Sequence, residues 1–539
     1  MAGRLSRRQF MAKGAMVGMS LSAVSIIVAA CGGANSSSSS GSSSAANQPR
    51  GKPGGTIHAA IVSPTTAPNP LLVNDTGGAA LISQTGEFLI VSTVVSGSLH
   101  LRPVLATSWK PNADASVWTF TLRRGVKFHD GTPMTADDVV YSFKLQSNPK
   151  AASNALSTFT GVLVPSGVHK VDDFTIAFHL EAPNGNFPYL CSSDNYNMII
   201  IPNGYDPHKW PTTFIGTGPF KLKSYASQAS ASFVRNDDYW GPKALPDVTE
   251  LSFYQTVQAQ VLALEGSSVD VVTQFSVQGG QSLLANSSYN VISLHSSAHR
   301  ELSMRNDVGP FTDPRVRQAV ALCLDRPGMT KALFQGYAQI GNDSPFAPIF
   351  PSTDTSVPQR TQDIAKAKQL LAAAGHPNGF STKLFSEQLL EIPQLAQIVK
   401  QEATKIGVDI TLQVETSAAY YGKAVFGQSD WLDGAMSLVD YAHRGVPNVF
   451  LQAPLESKGV WNAAHFKDPA YDKLVKQYVA AIDLSSQRSV AGKLERLLLD
   501  QTPIIYPYFY NYLAASAKNV TGVELTPTGQ LFLQNATKA

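Results

Sequence analysis

An α/β fold is what this sequence predicts, and two observations carry the prediction. Amphipathic helical runs recur and end on glycine: "VQAQVLALEG" (257–266), "DIAKAKQLLAAAG" (363–375) and "IPQLAQIVKQEATKIG" (392–407). Alternating apolar and polar runs follow closely on two of them, "VDVVTQF" (269–275) and "VDITLQV" (408–414). Helix, short glycine turn and strand form the repeating unit of an α/β domain.

The remaining elements follow in chain order. "VWTFTL" (117–122) alternates as a strand does, and Arg124-Gly125 and Asp130-Gly131 supply turn chemistry after it. "TADDVVYSFKL" then predicts a helix, with Thr135 as N-cap, Asp138 three residues on, and Val139, Val140 and Phe143 as its apolar face. "FTIAFHL" (174–180) is a second strand. In "TDPRVRQAVALCLD", Asp313 is the N-cap and Pro314 the first helical residue. No fixed-period repeat is present. The length remaining after the first 53 residues exceeds what one core accommodates, so two or three domains are expected.

The N-terminus is of a different kind. Arg4, Arg7, Arg8 and Lys13 precede a mild apolar run from about Gly14 to Ala30, too short and too diluted by Gly, Ser and Ala to span a bilayer. A basic start, a modest apolar stretch and a small-residue end describe an export signal over 1–30. Ser6-Arg7-Arg8-Gln9-Phe10-Met11 resembles the twin-arginine export motif, and Val28-Ala29-Ala30-Cys31 resembles a bacterial lipobox, which implies lipid on Cys31. "NSSSSSGSSSAAN" (35–47) is a flexible tether within the segment 31–53.

Removing the signal takes away four positive charges and no negative ones, so the formal +3 becomes −1. No excess positive field remains to hold nucleic acid. Two cysteines, Cys191 and Cys323, are left in the body, which is no disulfide framework, and Cys323 sits in a helical apolar pattern.

Over some 400 collinear residues the chain resembles the extracytoplasmic solute-binding proteins of the peptide/nickel (family 5) type, the receptor components of ABC importers. The resemblance rests on "LRPVLATSWKPNADASVWTFTLRRGVKFHDGTPMTADDVVYSF" (101–143), "GTGPFKL" (216–222), "FTDPRVRQAVALCLDR" (311–326), "DIAKAKQLLAAAG" and "VWN" (460–462). It implies a periplasmic-binding-protein-like (type II) fold of two α/β lobes with an inserted domain and a ligand cleft between the lobes, closed by a hinge. Mapped onto this sequence, lobe I takes 54–89, 211–305 and 515–539, the inserted domain 90–210, and lobe II 306–514. It also implies a monomer outside the cell, anchored by lipid on Cys31, that hands its ligand to a permease and ATPase complex.

Peptide-binding members carry an Asp-Tyr followed by Pro and an aromatic, and the matching stretch is "LVDYAHRGVPNVFL" (438–451). The resemblance makes Asp440 the counter-charge for a ligand ammonium and Tyr441 an aromatic wall. Ala442-His443-Arg444-Gly445-Val446 departs from the common pattern. Arg444 either binds a ligand carboxylate or phosphate, or pairs with Asp440 or lies in a solvated loop. Trp461 and Asn462 occupy ligand-facing positions of the family, against a structural reading of the Trp. Tyr420 and Tyr421 in "AAYYG" and the stretch 65–71 are further candidate contacts.

No cofactor is expected, and no metal. His295-x3-His299 has helical spacing, but it follows the strand-like "YNVISL" and lacks acidic neighbours. Gly-x-Ser-x-Gly, His-Glu-x-x-His and Gly-x4-Gly-Lys are all absent, so a binder rather than an enzyme is expected. Competing readings are a ligand-presenting sensor, an exported hydrolase on the same scaffold, and a nickel or nickel-chelate binder.

Overall fold

The computed structural model describes residues 52–539. The export signal with Arg7 and Arg8, the lipidation site Cys31 and the Ser/Gly tether lie outside the described residues.

Two seven-stranded mixed sheets organise the chain. In the first, Thr56–Val62 lies at the centre, parallel to Val248–Tyr254 on one side and Val271–Phe275 on the other. Ser230–Arg235 and Phe220–Ala226 extend one flank antiparallel, and Tyr512–Ala517 and Tyr289–Leu294 extend the other. In the second sheet, Phe380–Glu387 is parallel to both Val408–Glu415 and Met436–Tyr441. His299–Met304 pairs antiparallel with Met436–Tyr441 and leads on to Tyr508–Tyr510 and Ala338–Ile340. A four-stranded antiparallel sheet, Ala106–Pro111, Val117–Leu122, Thr175–His179 and Val168–Asp172, comes from the residues between the first two strands of the first sheet.

Local chemistry explains the elements. Thr135 and Asp138 close a reciprocal capping box on the helix Ala136–Gln146, which satisfies backbone donors that a helix start leaves open. Asp313 caps Pro314–Cys323, and Asp363 caps Ile364–Ala373. Gly375 and Gly407 take φ of 87° and 81° just beyond their helices, the left-handed conformation glycine adopts without strain. Gly216 and Gly218 flank Thr217 for a different reason: a Cβ on either would lie 2.0 or 2.7 Å from the Thr85 carbonyl oxygen. That approach lets Thr217 donate to the buried Glu87 at 2.8 Å, beside Tyr239 and Trp240 at 2.7 and 2.8 Å.

One continuous apolar cluster joins the first sheet to the four-stranded sheet, through Ile61, Ile90, Phe120, Phe178, Phe220 and Val271. A second is built on Leu302, Val320, Leu384, Val399 and Leu438. Cys191 lies in the first and Cys323 in the second, both as buried free thiols. Burial pushes the Cys323 thiol up to about 12.

The chain passes from the first sheet to the second between Leu294 and His299, and returns between Tyr510 and Tyr512. His299–Met304 therefore belongs to the second sheet, so a boundary at 305/306 falls after that strand rather than before it. The polar run "HRELSM" gives no apolar alternation by which to see this, although every residue of it is buried. The two passages touch: Tyr510 N–H donates to the Ala298 carbonyl at 2.9 Å, and Asn511 Nδ2 to Ser293 Oγ at 2.8 Å.

Candidate functional site

Asp440 ends the strand Met436–Tyr441, directly opposite Arg300 on His299–Met304. Opposite charges at facing positions of an antiparallel pair meet on one face. Arg300 Nη1 donates to Asp440 Oδ1, and Nη2 pairs with Glu391 at 2.9 Å. Tyr510 donates to the same Asp440 oxygen at 3.0 Å, Tyr508 donates to Glu391 at 3.0 Å, and the guanidinium lies 4.6 Å from the centre of the Tyr510 ring. Burial disfavours the Arg300 charge, but the carboxylates of Asp440 and Glu391 overcome it and hold the group above its ordinary value.

One cation against two carboxylates leaves this cluster net negative. Arg300 and Glu391 side chains are 1% and 3% exposed, whereas Asp440 is 25% exposed, so the excess charge reaches solvent at Asp440. Its second oxygen, Oδ2, has no partner among the described residues. Glu387 adds a further buried carboxylate at the end of the neighbouring parallel strand, in register with Glu415. It accepts from Ser417 Oγ and, at 3.2 Å, from Tyr421, and has no cation beside it among the described residues. Carboxyl ends of parallel strands are where open α/β sheets bind ligands.

The six positions singled out in the sequence separate by role. Tyr441 is 4% exposed and lies between His299 and Trp461, at ring distances of 5.6 and 6.1 Å, and its hydroxyl has no partner among the described residues. Trp461 is half-buried on the edge of that aromatic group. Tyr420 and Asn462 are structural. The Tyr420 hydroxyl donates to the Leu438 carbonyl at 2.6 Å from a fully buried position. Asn462 pins its own loop through the carbonyls of Glu456 and Phe466 and the Phe466 N–H, at 3.1, 2.7 and 2.9 Å. Both side chains are buried and committed to these backbone partners.

Arg444 fits neither the solvated nor the Asp440-paired alternative: it is 2% exposed, and Asp440 pairs with Arg300 instead. Its backbone and the His443 side chain grip the first interlobe passage. Ser297 Oγ donates to the Arg444 carbonyl and accepts from its N–H at 2.7 Å, while His443 Nδ1 accepts from Ser297 N–H at 2.9 Å. An Nδ1 that accepts carries no proton, in keeping with a His443 pKa lowered to about 3 by burial and by Arg444. His299 lies in a strand, not a helix, and no group of three His, Cys, Asp or Glu among the described residues could hold a metal ion.

Arg300, Glu391, Glu387 and Tyr510 escaped the sequence reading. The signal of the three charged residues was charge inside otherwise strand- or helix-compatible runs, and the contacts that unite the group join segments far apart in the chain.

Two sheets joined by adjacent crossings, with a charged, aromatic site beside those crossings, define a solute-binding protein of the periplasmic type II class. Residues 100–445 match the bacterial extracellular solute-binding proteins, family 5 (middle region), and the chain belongs to that family of ABC-importer receptors, which bind and do not catalyse. Among curated relatives, the periplasmic murein peptide-binding protein MppA of Escherichia coli is 30% identical over 438 residues, 76% of this chain and 80% of that one. Heme-binding protein A of Haemophilus influenzae is 25% identical over 462 residues, covering 80% of this chain and 83% of its own. Among solved structures, HbpA2 from Haemophilus parasuis superposes with a TM-score of 0.80 at 23% identity, covering 90% of this chain and all of that one. Unliganded, open MppA gives 0.76 at 23% identity, over 90% of this chain and 97% of that one.

Proposed function

We propose that this protein is the lipid-anchored, extracytoplasmic receptor of an ABC importer, and that it captures a small amine-bearing solute, an oligopeptide or related compound, by lobe closure. The observation that carries the reading is the net-negative cluster of Arg300, Glu391 and Asp440, exposed only through Asp440. A carboxylate with one oxygen fixed by protein and the other open is suited to a ligand ammonium, and the pairing strengthens when closure excludes water. Relatives whose names state peptide ligands, MppA and the dipeptide-binding protein of Escherichia coli among them, favour the same class. The first lobe, over 54–89, 211–294 and 512–539, and the second, over 299–510, serve as the closing bodies, with the inserted domain over 90–210 and the crossings at 295–298 and 511. The basic signal with Arg7 and Arg8 and the lipobox at Cys31 support export and anchoring on the outer face of the membrane.

Mass spectrometry of protein from its native source reads both parts: the intact mass reports cleavage before Cys31 and added lipid, and the released solute should carry an amine. Asp440→Asn should weaken that solute more than tenfold by calorimetry, about 1.4 kcal/mol or more. Unchanged affinity would make Asp440 a structural partner of Arg300 and end this reading.

A further inference from the structure

Glu387 is a buried carboxylate with no cation to offset it. The residue is 5% exposed at the end of the strand Phe380–Glu387. One oxygen accepts from Ser417 Oγ and the other from the Tyr421 hydroxyl at 3.2 Å, and among the described residues no Lys, Arg or His lies within ion-pair distance. Arg300 is taken up by Asp440 and Glu391, and Arg444 forms no ion pair with Glu387. Two hydroxyl bonds fill about half of the four acceptor sites a carboxylate carries. Glu415 faces Glu387 in register on the next strand, Val408–Glu415, also without a cation, and like charges at facing positions repel. A charge taken out of water is costly unless a partner of opposite sign repays it. A carboxylate kept in this position is poised for a cation from outside the chain.

Strand register sets this carboxylate near Asp440. Phe380–Glu387 runs parallel to Met436–Tyr441, with Ser386 level with Leu438. Continuing that register puts Glu387 one residue short of Asp440 on the neighbouring strand, their Cα atoms about 6 Å apart. Both leave the sheet at its carboxyl-terminal edge, where open α/β sheets take ligands. The connection from Glu387 to the helix Ile392–Thr404 is short and held at both ends. Gln388 N–H donates to the Glu415 carbonyl at 2.7 Å, and Glu391 pairs with Arg300. Between these anchors Leu390 holds a φ of 46° and is 59% exposed. A left-handed backbone is unfavourable for a residue with a Cβ, and a leucine turned to water buries little. A strained, exposed apolar residue three positions from an uncompensated carboxylate offers a lip for an alkyl chain that ends in a positive charge.

We infer that Glu387 is a specificity residue: it takes a second cationic group of the solute whose ammonium Asp440 holds. The Ser417 and Tyr421 hydroxyls fix its carboxylate, and Leu390 covers the alkyl stem. An amino-terminal lysine has the required dimensions, since about 7 Å separates its two ammonium nitrogens when the side chain is extended. The charges agree. Asp440, Glu391 and Glu387 stand against Arg300 alone, and a solute with two cationic groups neutralises that set. The solute is therefore a short peptide or related amine with a basic side chain at its amino end. This inference rests on the proposed amine-solute reading and narrows it.

The test titrates the purified protein by calorimetry with lysyl-dialanine and with norleucyl-dialanine, which keeps the stem and lacks the terminal charge. Wild type should bind the lysyl peptide at least tenfold more tightly. Glu387→Gln should erase that preference while changing the norleucyl affinity less than threefold. Asp440→Asn should weaken both peptides alike and leave their ratio intact. Glu387→Asp, which keeps the charge but withdraws it by one methylene, should lower the preference without abolishing it. An unchanged ratio in that variant overturns the inference even if Glu387→Gln fails to fold. Equal affinity of wild type for the two peptides overturns the cation subsite and leaves the amine reading standing. A preference that survives Glu387→Gln sets the second charge elsewhere and overturns it too. Binding of neither peptide ends the amine reading, and the subsite falls with it.

Discussion

At the scale of single residues, burial rather than type decides what a side chain does here. His129 shows this with a measurable consequence. Its Nε2 lies 3.0 Å from the Gly218 carbonyl, so that nitrogen carries the proton and donates. Burial lowers its pKa from 6.5 to about 4. The folded pKa is below the unfolded one, so the stability this residue confers is complete above pH 6.5 and is lost as the pH falls toward 4. Replacing it with glutamine, which can still donate to Gly218, removes the titration. Denaturant melts at pH 7 and pH 5 should show wild type losing about 1–2 kcal/mol relative to His129→Gln over that interval. Parallel losses in the two proteins would mean that His129 is not the group being protonated. The same principle separates Asp440 from Tyr420 and Asn462, whose polar atoms are committed to backbone partners.

At the scale of elements, legibility follows how much of a segment's stability is local. Ile364–Ala373, Ile392–Thr404 and Val408–Glu415 could be read from periodicity because their apolar faces meet the core while glycine and capping residues fix their ends. Thr135 and Asp313 were readable as caps because capping chemistry acts within three residues. His299–Met304 was not readable. Arg300 and Glu301 are tolerated in a fully buried strand because Glu391, Asp440 and Tyr506 meet them from other segments and His299 from two residues away on the same strand. Asp440 was found through family resemblance, but its partners depend on strand register, which a single sequence does not display. The departure at 442–446 was visible in the sequence. Its result, an arginine buried from water while Asp440 pairs with Arg300, depends on packing that a single sequence does not display.

At the scale of the whole molecule, apolar packing and specific polar contacts together set the lobes' relation. Beyond the crossings, the turn Asn184-Gly185-Asn186 of the inserted segment docks on the second lobe. Gly185 N–H donates to the Val479 carbonyl at 2.8 Å, and Gln487 donates to Asn186 at 3.1 Å. Asn186 in turn donates to Asn448, on the segment that follows Arg444, so this dock and the candidate site share a loop. Gly185 is needed for proximity: a Cβ there would lie 2.0 Å from the Ala481 carbonyl oxygen, and backbone cannot yield that much without separating the two bodies. Gly185→Val should therefore wedge the dock open while leaving each core intact. Small-angle scattering of the ligand-free protein should show a larger radius of gyration, with the far-ultraviolet dichroism of wild type. Because the binding-competent state is then less populated, solute affinity should fall by the same factor as that population. A variant as compact as wild type would show that the dock does not hold the bodies together. A more open variant with unchanged affinity would uncouple the dock from the loop of Asp440 and Arg444.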